Sequence, residues 1–180
     1  MHLKNLKKYY FINKFDNTHL INLNKNISFI WRNKDKETHL KTLTKLRDFC
    51  KENHRKFYIS NDIKLAIKVK ADGVYIPSTN KNFNFKSIKF KKEFKILGSA
   101  HNFKEIKIKE IQNVKKIVLS SLFKKNKNFL GLNRFKLISK LTRKEIIALG
   151  GISKKNFKQL NLTKASGFAG ISFFEQKKGP

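Results

Sequence analysis

Eight short apolar runs punctuate this chain. Their spacing of about twenty residues is the repeat length of a strand, a helix and two short loops. The runs are Tyr9–Ile12, Ile27–Trp31, Phe57–Ile59, Gly73–Ile76, Phe94–Leu97, Ile117–Leu119, Ile146–Leu149 and Gly167–Ile171. Between them lie segments with helical spacing. Leu40, Leu43, Leu46 and Phe49-Cys50 share one face of Thr38–Glu52, and Phe135, Leu137-Ile138 and Leu141 share one face of Leu132–Leu141. Alternation of this kind builds a parallel sheet with helices outside it. Eight repeats predict an α/β fold, a (β/α)8 barrel, in one domain over residues 1–180. Such barrels typically need about 200 residues or more, so this one must be trimmed. The trimming is expected at the first and last helices. Asp16–Asn26 is too short and polar for a full first helix, and after Ser172 only Phe173-Phe174 and a polar tail remain, enough for a turn. Apolar strand flanks left bare in this way could be covered by a homodimer contact.

Helix starts are marked by capping residues. Asp35 can cap Thr38–Glu52, Asn61 or Asp62 can cap Ile63–Val69, and Ser153 can cap Lys154–Leu160. Asn102 followed by Glu105 resembles a capping box opening Phe103–Ile111.

The formal charge is +30, from 42 Lys and Arg against 12 Asp and Glu. A nucleic acid or an anionic membrane would answer such a charge. The distribution argues instead for solvated lysine-rich faces. Lysine is strewn along the whole length, and arginine, the residue suited to bidentate phosphate and base contacts, occurs only at Arg32, Arg47, Arg55, Arg134 and Arg143. The field would still attract small phosphates and pyrophosphates. Cys50 is the only cysteine, which excludes a disulfide framework and a cysteine-based metal site; a buried helix face suits it. No run approaches the ~18 apolar residues of a membrane span, and Met1–Asn5 lacks a signal-peptide core, so a cytoplasmic location is expected.

In such a barrel, chemistry sits at the C-terminal ends of the strands. In chain order those ends carry Arg32 and Lys34, Ser60-Asn61-Asp62, Pro77-Ser78-Thr79-Asn80, Gly98-Ser99-Ala100-His101, Ser120-Ser121 with Lys124-Lys125, Gly150-Gly151, and Ile171-Ser172. The set is rich in cations, hydroxyls and amides and nearly free of carboxylates. It suits anion binding and lacks the carboxylate pair of a hydrolase acting on glycosides. Glycine and serine ending the last two strands are the usual phosphate cradle, because exposed backbone N–H groups can approach the ligand. Asp72, before the fourth strand, reads as a turn residue on the opposite, stability face.

At these residues a resemblance becomes specific. Arg32-Asn33-Lys34, Ser60-Asn61-Asp62 through Leu65-Ala66, Ala71-Asp72-Gly73-Val74, Gly98-Ser99-Ala100-His101, Ala148-Leu149-Gly150-Gly151-Ile152 and Gly167–Ser172 stand in one order and spacing. In this the chain resembles the thiamine-phosphate synthase family, including its thiazole-tautomerase (TenI-like) branch. The resemblance implies a reaction in which a pyrimidine methyl pyrophosphate loses pyrophosphate and a thiazole phosphate captures the cation, giving thiamine phosphate. It implies that Gly150, Gly151 and the Ile171-Ser172 amides hold the thiazole phosphate. Arg32 and Lys34 would face the pyrophosphate, and Ser99 would contact the pyrophosphate or the pyrimidine. His101 falls where the tautomerase branch places an acid–base group, a role an imidazole suits. Mg²⁺ is implied on carboxylates after the third and fourth strands. Here those positions read Asn61 and Asn80, with Asp62 adjacent. An amide offers an oxygen to Mg²⁺ but no charge. The glutamine expected two residues before Arg32 is Ile30, and Lys124-Lys125-Asn126-Lys127 replaces a Pro/Thr-rich loop. Those lysines could neutralise pyrophosphate without metal. Three readings follow: a synthase, a metal-independent tautomerase acting through His101, and a non-catalytic phosphate-ligand binder.

Overall fold

The computed structural model describes residues 3–32 and 40–175. Eight parallel strands close into a barrel in chain order: β1 Lys7–Ile12, β2 Ile27–Trp31, β3 Phe57–Ser60, β4 Gly73–Ile76, β5 Lys95–Ala100, β6 Lys116–Ser120, β7 Glu145–Leu149 and β8 Gly167–Gly170. Closure is made by β8 on β1, from Lys7 opposite Gly167 to Tyr10 opposite Gly170. Among the described residues five α-helices lie outside: α1 Asn17–Ile21, α2 Leu40–Glu52, α3 Ile63–Lys68, α4 Phe103–Ile111 and α5 Gly131–Lys140.

Alternation along the strands sorts side chains into two cores. Tyr9, Phe11, Ile30, Tyr58, Tyr75, Leu97, Val118, Ile147 and Ala169 fill the barrel interior. The opposite faces, among them Tyr10, Phe29, Phe57, Val74, Ile117 and Phe168, pack against the helices. Cys50 is buried on α2 as expected, and burial pushes its thiol up to about 12.

The first helix is reduced to the five residues of α1. Arg55, buried between the rings of Phe29 and Phe49, donates to the carbonyls of Leu20 and Leu23 at 2.9 and 2.7 Å. It gives the Leu23 carbonyl a donor where the helix stops and adds one to the Leu20 carbonyl, which also accepts from Leu23 N–H. Among the described residues no α-helix follows β8: residues 171–175 form one turn, held by Phe174 and Glu175 donating to the Ile171 carbonyl. Phe173 and Phe174 replace the missing helix, packing on Phe168 at 4.8 and 5.6 Å between ring centroids. Phe174 also reaches Tyr10 on β1 at 5.2 Å and so covers the seam.

Two local expectations are corrected. Lys154–Leu160 is not an α-helix capped by Ser153; a 3-10 segment, Phe157–Leu162, stands there. The Asn156 side chain accepts from the Ser153 N–H and donates to the Gly151 carbonyl, which ties the segment back onto the β7 turn. The Asn102 cap forms, accepting from the Glu105 N–H at 3.0 Å, but Glu105 reaches past Asn102 to His101. Of the two candidates for α3, Asp62 is the cap, accepting from Leu65 N–H at 2.8 Å. Asp72 lies at the N-terminal end of the barrel, where it accepts from Phe57 N–H and from Lys56.

Candidate active site

The site is built from loops that follow the strands. After β7 the chain turns through Gly150 and Gly151, with φ of +107° and +70°. Glycine is required here for space as well as for φ. A Cβ on Gly150 would stand 2.3 Å from Ser121 Oγ, and one on Gly151 would stand 2.6 Å from the Lys124 backbone nitrogen. The loop after β6 therefore leans directly on the glycine pair. Phe123 and Lys124 N–H both donate to the Gly150 carbonyl, at 2.8 and 3.2 Å, and Leu122 N–H donates to Leu149. This lock brings the exposed Lys124 and Lys125 to the rim of the cradle. The N–H groups of Gly151, Ile171 and Ser172 make no hydrogen bond to any described residue, which leaves them as donors for an anion.

Arg32 and Ile171 share the wall of a cavity of about 270 Å³ at the ends of β1, β2 and β8, together with Asp16, His19 and Glu175. Lys34 lies outside the described residues. Ser99 is buried on β5, pointing inward like Leu97, and faces the Tyr75 phenol. Burial raises the Tyr75 pKa, while the Ser99 hydroxyl and the Arg32 charge pull it down. Tyr75 thus joins Arg32 and Ser99 beneath the site. It escapes a reading of loop residues, yet the period-two alternation of β4 places it inward two residues after Gly73.

His101 begins the loop after β5. Glu105 Oε2 accepts from its backbone N–H at 2.7 Å and lies 2.9 Å from its Nδ1. A carboxylate on Nδ1 holds a proton there and leaves Nε2 as the basic nitrogen.

The residues expected at a metal are differently occupied. Asn80 Nδ2 donates to Asn61 Oδ1 at 2.7 Å, and Asn80 Oδ1 accepts from Asn82 N–H at 2.9 Å. Asn61 sits at φ +61°, and Asp62 is turned away as the α3 cap. The two amides thus spend their oxygens on each other and on the backbone. This set does not fit Mg²⁺, which binds through carboxylate charge and open oxygens. No cluster of three or more His, Cys, Asp or Glu able to hold a metal occurs among the described residues.

Behind Asn80 stands a fully buried cation. Lys109 Nζ on α4 donates to the carbonyls of Pro77 and Asn80 and to Gln112 Oε1, each at 2.8 Å. Gln112 Nε2 donates to the carbonyls of Asn80 and Asn82. Together they clamp the loop after β4.

A closed parallel eight-stranded barrel, with amide donors after its last two strands that have no partner among the described residues, is a (β/α)8 barrel. Residues 23–174 match the family model described as thiamine monophosphate synthase, and the chain belongs to that family. It is 34% identical over 170 residues to a thiamine-phosphate synthase of Pelagibacter ubique, covering 89% of this chain and 81% of the relative. It is 31% identical over 146 residues to a putative thiamine-phosphate synthase 2 of Aquifex aeolicus, covering 78% and 77%. The solved thiamine phosphate pyrophosphorylase of Pyrococcus furiosus superposes with a TM-score of 0.69 at 19% identity, over 95% of this chain and 88% of that one. A mutant tryptophan synthase α-subunit from the same organism gives 0.70 at 14% identity, over 94% and 87%, so the architecture alone does not choose the reaction. No described helix is long and apolar enough to cross a membrane.

Proposed function

We propose that this chain is a thiamine-phosphate synthase of thiamine biosynthesis, joining a pyrimidine methyl pyrophosphate to thiazole phosphate. The carrying observation is the set of N–H groups on Gly151, Ile171 and Ser172 that have no partner among the described residues, in a chain of this family. In the reaction the methylene C–O bond breaks and its electron pair leaves with pyrophosphate. The thiazole nitrogen lone pair then forms the new C–N bond. The amides orient the thiazole phosphate by charge-assisted hydrogen bonds. Arg32, Lys34, Lys124 and Lys125 offset the charge that grows on the departing pyrophosphate. Ser99 and Tyr75 offer hydroxyls below the reacting carbon, and Leu149 with the apolar barrel interior keeps water from the cation. Mg²⁺ is the metal expected from the resemblance, but Asn61, Asp62 and Asn80 do not suit it.

Incubating both substrates with the protein, with and without Mg²⁺, tests the proposal. Formation of thiamine phosphate is expected; none, beside an active control synthase, overturns it. One observation favours a second reading. The Glu105–His101 contact prepares Nε2 as a base, which suits proton transfer on thiazole phosphate. Under that reading His101→Ala abolishes tautomerisation while thiazole phosphate still binds.

A further inference from the structure

The opposite end of the barrel carries a feature that the reaction does not use. A cleft of about 520 Å³ opens at the N-terminal ends of the strands. Its lining includes Lys7, Lys8, Lys25, Arg55, Lys56 and Lys116, and no carboxylate. A smaller cleft of about 250 Å³ shares Lys56 and Tyr58 with it and adds Lys92, Lys95, Asp72 and Glu93. The lysines are placed by register. Lys7, Lys56, Lys95 and Lys116 each precede by two an inward-facing residue, Tyr9, Tyr58, Leu97 or Val118, so alternation aims them at the barrel axis.

Three carboxylates border the two clefts, Glu145, Asp72 and Glu93. Glu145 pairs with Lys116 at 2.5 Å and with Lys7 at 3.6 Å, and Asp72 pairs with Lys56 at 2.7 Å. They cannot neutralise the ring, and Lys8 and Lys25 make no ion pair among the described residues. Convergent like charges in a concave, low-dielectric mouth repel one another and focus the field outward.

The floor supplies a second, independent sign. Tyr9 and Tyr58 are 3% and 5% exposed and their ring centroids lie 6.3 Å apart. Their hydroxyls make no hydrogen bond to any described residue and are not sealed from solvent, so they open into the cleft. Buried phenols ordinarily find a partner. Two hydroxyl donors below a ring of ammonium groups form a receptor for an anion with several charged oxygens.

We propose that the N-terminal mouth of the barrel is a second anion site that takes a compact polyphosphate of two or more linked phosphate groups. The phosphates sit on the Tyr9 and Tyr58 hydroxyls within the lysine ring. The filled barrel interior separates this site from the opposite mouth, so its occupancy does not depend on the synthase reading.

The test is a titration of the ¹⁵N-labelled full chain with inorganic triphosphate at about 0.15 M NaCl, where weak non-specific charge contacts are screened. Saturable shifts are expected at Lys7–Tyr9, Lys56–Tyr58 and Lys116, and they persist in Arg32→Ala. The rim variant Lys8→Gln/Lys25→Gln and the floor variant Tyr58→Phe should each weaken binding at least about fivefold while keeping the wild-type dispersion of the spectrum. Non-saturating shifts, shifts confined to Gly151, Ile171 and Ser172, or unchanged binding in both variants would overturn the proposal. Tighter binding of an oligouridylate than of triphosphate at the same resonances would also overturn it, by giving the mouth to nucleic acid. Failure of the wild type to make thiamine phosphate would leave these shifts in place.

Discussion

Replacing Lys109 by methionine removes a buried charge and keeps the length of the side chain. In the native protein the ammonium supplies three hydrogen bonds, to the carbonyls of Pro77 and Asn80 and to Gln112 Oε1. After substitution the Asn80 carbonyl keeps a donor in Gln112 and the Pro77 carbonyl keeps the Asn80 N–H, whereas Gln112 Oε1 loses its donor. At about 2 kcal/mol for the orphaned acceptor and about 1 kcal/mol for each of the two bonds lost at carbonyls that keep another donor, the loss is about 4 kcal/mol. Part of it is returned. Burial lowers the Lys109 pKa from 10.5 to about 8, and holding the charge there costs about 3 kcal/mol at neutral pH. The net destabilisation at pH 7 is then about 1–2 kcal/mol, or a fall of about 3–8 °C in melting temperature for a domain of this size.

The sign of the pH dependence makes the test sharper. The folded pKa lies below the unfolded one, so the unfolded chain holds this proton more tightly between them. The cost is fully present below pH 8 and fades as pH rises from about 8 towards the unfolded value near 10.4. A neutral amine still has two N–H donors for the loop. The wild type should therefore gain stability relative to Lys109→Met between pH 7 and 9.5, widening the gap by about 2 kcal/mol. Paired thermal melts across that range measure it. A gap that is absent at pH 7, or that narrows with pH, would show that Lys109 is not the clamp.

Gly151→Ala places a Cβ 2.6 Å from the Lys124 nitrogen at φ +70°, so about 2 kcal/mol of stability should be lost, read by urea unfolding, with thiazole phosphate affinity down at least about tenfold by calorimetry. Asn61→Asp/Asn80→Asp restores two carboxylates at neighbouring positions; calorimetric titration with MgCl₂ should show saturable binding in this variant at least about tenfold tighter than in the wild type. Glu105→Gln leaves an amide against His101 Nδ1, and tautomerisation of thiazole phosphate should slow at least about tenfold with its KM unchanged; equal rates would separate Glu105 from any acid–base role.

The barrel was legible because apolar runs mark strands wherever β-branched and aromatic residues dominate, as in Ile27–Trp31 and Ile117–Leu119. Legibility failed where small residues carry a strand. β5 continues through Gly98, Ser99 and Ala100, whereas the run read from the sequence, Phe94–Leu97, stops at its apolar pair Ile96-Leu97. Gly98 is small for a reason that needs three dimensions: a Cβ there would meet Lys109 Cδ and Val114 Cγ1 at 2.9 Å. Lys109 itself reads as the solvent face of a helix, since nothing local announces that its amine ends under a distant loop. The Asn61–Asn80 bond joins residues nineteen apart whose types suggest loops and caps, so their mutual engagement could not be read from either. Tyr75 was readable in principle, through the alternation of β4.

The seam between β1 and β8 sets an order on folding. β1 acquires β2 within some twenty residues of chain, but its other edge pairs only with Lys7 opposite Gly167 and the positions that follow. Until β8 arrives, that edge offers unpaired backbone groups beside Tyr9–Ile12, a run suited to pairing with the wrong strand. Its cover, the rings of Phe173 and Phe174, lies further on still. The first strand of the barrel to be made is thus the last to be protected, and Lys7, Lys8 and Lys14 around it are placed as charged gatekeepers would be.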